Sequence, residues 1–163
     1  MTDHLWAGWR MAYVTQGVEV SEGSTLFEAI IASDVPDEET FVVWRGRECF
    51  AIMNLHPYTS GHVMVLPNRG VAELGDLTES EAGELWEGVR AAVSAVQVAF
   101  SPHGVNVGAN IGRGAGAGIP DHLHMHVVPR WDGDTNFMTS IANTRVLPEA
   151  MIDSWRRIVD AWP

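Results

Sequence analysis

The chain has 163 residues, 46% of them apolar, which is enough for one domain with a buried core. Its net charge is −11 and every cationic side chain is an arginine, so its surface argues against tracking a nucleic-acid backbone. The single cysteine, Cys49, excludes an internal disulfide or multi-cysteine metal site and fits a reducing cytoplasm; no apolar run approaches the roughly 18 residues of a membrane span, and the opening Met1-Thr2-Asp3-His4 lacks the start of a signal peptide.

In chain order, residues 25–32 (TLFEAIIA) read as a short helix and the polar stretch 33–40 as a loop. Short apolar runs bounded by turn residues predict strands at 41–44 and 48–54, with Arg45-Gly46-Arg47 between them. Residues 55–61 form a loop, and 62–66 a buried strand stopped by Pro67. The clearest helix covers 78–100: Thr78 and Glu81 have capping-box spacing, and Ala82, Leu85, Trp86, Val89, Ala92, Val93 and Val96 make one apolar stripe. Strands are expected at 105–111 and 122–128. Pro148 suits the first turn of a last helix, whose stripe is Met151, Ile152, Trp155, Ile158, Val159 and Trp162. Hairpins around one long helix predict an α+β fold, an antiparallel sheet of about five strands with the helices on one side.

The stretch His122-Leu123-His124-Met125-His126 carries the most chemistry. On a strand, alternate side chains share a face, so the three imidazoles point one way and Leu123, Met125 and Val127 the other. Buried imidazoles need partners for both nitrogens, which makes such a trio poor core material. A chance cluster on an exposed strand is the bland reading. Two functional readings stand beside it. Imidazoles at alternate positions can bind zinc, with Asp121, Asp132 or Asp134 as a further ligand. Alternatively, a neutral histidine nitrogen attacks phosphorus while its neighbours fix its tautomer and stabilise the charge that develops.

The second reading needs a cradle of donors, and Asn110–Gly118 (NIGRGAGAG) supplies one, with glycine at 112, 114, 116 and 118. Glycine allows close backbone approach and lets successive N–H groups face an anion. No Gly-Lys-Ser/Thr follows, so this is not the phosphate loop of a nucleotide kinase. Of the remaining residues, His56 and His103 read as surface or structural histidines and Cys49 as inert. Arg113 and Arg130 are candidate phosphate-side cations, or partners of Asp132 or Asp134.

The run His-Leu-His-Met-His-Val-Val resembles the signature of the histidine triad (HIT) family. Residues 50–67 (FAIMNLHPYTSGHVMVLP) look like that family's paired strands, and 122–138 (HLHMHVVPRWDGDTNFM) resembles the branch of bacterial diadenosine tetraphosphate phosphorylases and hydrolases, as does the opening 5–14 (LWAGWRMAYV). The resemblance implies one domain: an N-terminal extension 1–40, a core 41–131, and a C-terminal segment 132–163. It implies cleavage of a dinucleoside polyphosphate, with His124 as nucleophile, His126 bonding a phosphate oxygen, His122 orienting the nucleophile and His62 as a fourth, supporting histidine. Asn54 would contact the ribose. Asn110, Gly116, Ala117 and Gly118 would hold the phosphates. Ile52, with Leu26 or Phe27, would wall the base pocket, and Trp131 would sit near the substrate. It implies a homodimer, no tightly bound cofactor, and Mg²⁺ arriving only with the substrate.

Two departures from that pattern matter. Thr25-Leu26-Phe27-Glu28 stands where many relatives carry a zinc-binding Cys-x-x-Cys, and Asn68-Arg69-Gly70 replaces a metal-binding histidine, so no structural zinc is expected. Ala117-Gly118 stands where the phosphorylases have Gly-Ser, which favours water over inorganic phosphate as the second substrate. Phosphorolysis, phosphoramidate hydrolysis and non-catalytic nucleotide binding are the alternatives.

Overall fold

A computed structural model describes Val18 and residues 20–134 and 149–163. The resemblance at 5–14, the end of 122–138 and Pro148 lie outside these residues. The elements are α1 (Leu26–Ala32), α2 (Asp37–Thr40), β1 (Val42–Arg45), β2 (Cys49–Met53), β3 (Val63–Pro67), α3 (Glu79–Phe100), β4 (Gly104–Gly108), β5 (Met125–Arg130) and α4 (Met151–Ala161). The five strands form one antiparallel sheet in the order β1-β2-β3-β5-β4.

The strands alternate between two apolar layers. Cys49, Ala51, Met53, Val63, Val65, Leu123, Met125 and Val127 face α3 and α4, joined by Leu85, Val89, Ala92, Val96 and Ile158. Phe50, Ile52, Met64 and Leu66 face the other way and pack with Phe27 and Ile30 of α1. The expectation of helices on one side is therefore corrected: α1 covers part of the opposite face. A sheet buried on both faces explains why β2 and β3 read as continuous apolar runs. The stretch 33–40, expected as loop, also contains the short helix α2.

The long helix begins as its sequence dictates. Thr78 accepts from Glu81 N–H and Glu81 reaches back to Thr78 N–H. Gly88 lets this helix approach the sheet closely, because a Cβ there would lie 2.8 Å from Val65 Cγ1. Trp86, expected in the stripe, lies outside it and is exposed. In α4, Trp155 Nε1–H donates to Val42 O (2.8 Å) and Trp162 stacks on Trp44, so these tryptophans serve the chain's own core.

Candidate active site

The histidine segment enters β5 later than expected, at Met125 rather than His122. Val65 pairs with Met125, so the ladder would next set Pro67 opposite Leu123. Proline has no N–H to continue it. Leu123 N–H instead donates to Val71 O (2.6 Å), and Pro67 O is taken by His122 Nε2 (2.8 Å). The alternation of faces survives this break. Leu123 and Met125 belong to the α3 layer, whereas Phe27 of α1 touches the rings of both His122 (5.3 Å between centroids) and His124 (5.9 Å).

The proton on each ring can be assigned from its partners. His122 Nε2 faces a carbonyl and must carry hydrogen; its Nδ1 then accepts from the Thr25 hydroxyl (2.7 Å). This ring is fully buried, and desolvation lowers its pKa. His124 Nδ1 faces the backbone oxygen of His122 (2.8 Å), so it is protonated, and Nε2 holds the lone pair. Tyr58 N–H donates to His62 Nδ1 (3.0 Å), which puts the His62 hydrogen on Nε2. That hydrogen goes to His126 Nδ1 (2.9 Å), leaving His126 with its own on Nε2. Burial first, and His124 second, lower the His126 pKa to about 4, so the ring is neutral at physiological pH. The His124 and His126 rings meet edge to face with centroids 4.8 Å apart. A lone-pair nitrogen and an N–H donor thus stand on neighbouring rings of one wall, from alternate residues of the segment.

Of the other expected residues, Asn110, Ile52 and Asn54 lie beside this wall, while the loop residues and Trp131 are held by bonds of their own. The Asn110 carboxamide is 3.4 Å from His126 Nε2; rotating an amide presents either donor or acceptor to that position. Ile52 is buried in the α1-facing layer with Phe27, and Leu26 packs at its margin. Asn54 Oδ1 accepts from His56 N–H (2.9 Å), so this end of the side chain closes a turn, while its amide nitrogen lies 3.4 Å from His62 Nδ1. In the glycine-rich loop a short 3₁₀ turn spans Arg113–Ala115. Gly116 has φ +88° and its N–H closes that turn on Arg113 O (3.1 Å), with Ala117 and Gly118 following. Trp131 N–H donates to Asp134, which also holds Arg130 through two bonds; Asn106 holds Arg130 as well. Arg130 is therefore a partner of Asp134. Asp132 pairs with His103.

Three contributors escaped the sequence reading. Thr25 caps α1 in a complete capping box with Glu28 and also bonds His122; the Thr-x-x-Glu spacing that marks Thr78 and Glu81 was equally present there. Glu28 accepts from Thr25 N–H (2.8 Å) and Gly70 N–H (2.7 Å), and these bonds hold its pKa at about 2. Tyr58 lies against His62 and His126, with ring centroids 4.6 and 5.7 Å away, and no motif marks it. Among the described residues, no three His, Cys, Asp or Glu side chains are grouped to hold a metal ion. Arg69 binds Glu81 through two bonds, and Cys49 is buried with its thiol pushed up to about 12 by desolvation.

A HIT-domain family profile matches residues 35–133. Among curated proteins, an AP-4-A phosphorylase of Mycobacterium tuberculosis is 41% identical over 162 residues, covering 97% of this chain and 83% of that relative. The asymmetrical bis(5'-nucleosyl)-tetraphosphatase of Schizosaccharomyces pombe is 39% identical over 93 residues, 57% of this chain and 50% of that protein. Among solved structures, a zinc-bound histidine triad family protein from Mycobacterium smegmatis superimposes with a TM-score of 0.68 at 26% identity, over 85% of this chain and 92% of the other.

Proposed function

Because the chain belongs to the histidine triad family, as its HIT-domain match and 41% identical relatives show, we propose that it is a nucleotidyl hydrolase or transferase. Its substrates are dinucleoside polyphosphates of the diadenosine tetraphosphate kind, and it works through a nucleotidyl-histidine intermediate. The observation that carries this reading is the tautomer of His124. Its Nδ1–H is tied to the His122 carbonyl, so Nε2 is the nucleophilic atom, and His126 presents an N–H beside it.

In the first step the His124 Nε2 lone pair attacks the α-phosphorus. A P–N bond forms, and the P–O bond to the remaining phosphate chain breaks with its electron pair leaving on oxygen. The His126 N–H stabilises the charge that gathers on the phosphate oxygens. The His122 carbonyl stabilises the positive charge that the His124 ring acquires. In the second step water attacks the same phosphorus, the P–N bond breaks with its electron pair returning to His124 Nε2, one water proton passes to solvent, and the mononucleotide leaves with the neutral histidine restored. Gly116 shapes the loop, while the Ala117 and Gly118 amides and the Asn110 side chain hold the phosphates. Ile52 and Phe27 wall the base, Asn54 contacts the ribose, and Trp131 borders the substrate. Arg113, in the same loop, adds a cation on the phosphate side. The protein needs no tightly bound cofactor, and Mg²⁺ accompanies the polyphosphate to offset its charge.

A second reading, phosphorolysis by inorganic phosphate, is favoured by the name of the 41% identical mycobacterial relative. Against it stands Gly118, which offers no side-chain donor to a second anion. Product analysis with diadenosine tetraphosphate separates the two. ATP plus AMP is the expected outcome with or without phosphate. ADP plus ATP that depends on phosphate would establish phosphorolysis. Retention of near wild-type cleavage by His124→Ala would overturn both.

We also propose a cytoplasmic homodimer with no nucleic-acid or membrane partner. No helix among the described residues is long and apolar enough to cross a membrane. The edge strand β4, with Val107 exposed, offers the pairing edge that the tryptophans of α4 do not. Light scattering is the check: a dimer is expected for the native chain and a weaker one for Val107→Lys.

A further inference from the structure

The His122 ring takes no direct part in the chemistry assigned above, yet it is among the most tightly determined groups in the protein. It is fully buried, and each of its nitrogens has one partner: Pro67 O at 2.8 Å and the Thr25 hydroxyl at 2.7 Å. Its backbone oxygen holds His124 Nδ1 at 2.8 Å. Fixing the ring therefore fixes the carbonyl that sets the nucleophile's tautomer.

Thr25 is the adjustable end of this arrangement. A hydroxyl has a single hydrogen, and here it must go to His122 Nδ1, because Nε2 is committed as donor to Pro67. The same oxygen then accepts from Glu28 N–H (3.2 Å) at the start of α1. Glu28 ties this turn to Gly70, three residues beyond Pro67, so both partners of the His122 ring are braced against each other. Phe27, between Thr25 and Glu28, closes the remaining side by touching the rings of His122 and His124.

We propose that Thr25 is a positioning residue for the nucleophile: its hydroxyl, shared between the α1 cap and His122 Nδ1, locks His122 so that its carbonyl holds the proton on His124 Nδ1. The role rests on His124 acting as nucleophile. It is distinct from simple stabilisation of α1, because capping needs only an acceptor at position 25, whereas the lock needs a donor as well.

The test compares Thr25→Val, which keeps shape and removes the hydroxyl, with Thr25→Ser, which keeps the hydroxyl. Thr25→Val is expected to lower kcat about 10- to 100-fold while KM moves less than about twofold, since the nucleophile and not the binding surface is displaced. Thr25→Ser is expected to stay within about threefold of wild type. Imidazole ¹⁵N spectra of the unliganded protein give a readout independent of turnover. In wild type and Thr25→Ser, His124 should be a single Nδ1–H tautomer; in Thr25→Val it should become a mixture. Wild-type kcat in Thr25→Val overturns the proposal, and so does a kcat loss in Thr25→Ser at unchanged melting temperature. A wild-type His124 that carries its proton on Nε2 overturns it even where Thr25→Val does not fold. Should the wild type cleave no polyphosphate, the spectra still decide the lock, and only the reading of the reaction fails.

Discussion

The histidine wall and the glycine-rich loop face the same substrate in our reading, but they are built on opposite terms. In the wall, His62, His122, His124 and His126 are all buried, and each is fixed by named hydrogen bonds. In the loop, a Cβ added at Gly112, Gly114, Gly116 or Gly118 would meet nothing within 4 Å; its shape comes from the positive φ angles of Gly112 and Gly116 and from two bonds of its own, Ala115 N–H to Gly112 O (3.2 Å) and Gly116 N–H to Arg113 O (3.1 Å). Chemistry that depends on which nitrogen holds a proton requires the first kind of construction. Accommodation of a phosphate chain, or of a different second acceptor, is compatible with the second. Changes in the wall should therefore act on the bond-breaking step, and changes in the loop on what arrives and leaves.

The largest expected effect is on the wall. His126→Ala removes a donor aimed at the reacting group and should lower kcat about 100- to 1000-fold in steady-state assays with diadenosine tetraphosphate. An equal loss from Gly114→Ala would break the distinction between the two regions. Next comes backbone tolerance. Gly61, which leads into His62, has φ +78°, and a Cβ there would lie 2.5 Å from the Phe100 ring. Gly61→Ala should cost about 2–4 kcal/mol by urea unfolding, Gly116→Ala about 1–2 kcal/mol for its left-handed φ alone, and Gly114→Ala less than about 0.5 kcal/mol.

The third effect is in pH. His126 has a folded pKa of about 4 against 6.5 for the ordinary imidazole, so the unfolded chain binds the proton first. Its contribution to stability is complete above pH 6.5 and is lost as pH falls toward 4. Glu28 and Glu81, held at about 2, add a further loss as pH falls from 4.5 toward 2. The melting temperature should thus decline between pH 7 and pH 5, and His126→Ala should flatten that slope. The smallest effect belongs to the loop. Gly118 has ordinary φ and open space around it, so Gly118→Ser should fold unchanged. It should make some ADP appear beside AMP when phosphate is present, a small effect of the order expected for one added hydrogen bond.

Much of this division was legible in the sequence. The histidine alternation put the imidazoles on one face and Leu123 and Met125 on the other, and the packing agrees. The capping box of Thr78 located the long helix to a residue. The register at Pro67 was not legible, because a strand reading of one segment does not know which carbonyl its neighbour leaves unmatched. For the same reason the helices' sides were misjudged: residues 25–32 read as an isolated helix, while its place on the sheet depends on Phe27 and Ile30 meeting Ile52 and Met64. The His62–His126 bond and the Tyr58 ring contacts join residues far apart in the chain, and no local spacing encodes them.

The chain of bonds ending at Tyr58 has a bearing on leaving-group basicity. Tyr58 N–H, His62 and His126 pass one hydrogen each in the same direction, and the first donor is a peptide group that does not give up its proton. His126 can lend its N–H to a departing oxygen, but replacing a proton handed over outright would leave His62 as an imidazolate. Bonds whose leaving group is stable as an anion suit such a wall, as a phosphate chain is; esters of simple alcohols do not. Across a series of adenylyl esters and anhydrides, the rate of the first step should therefore rise steeply with the acidity of the group expelled.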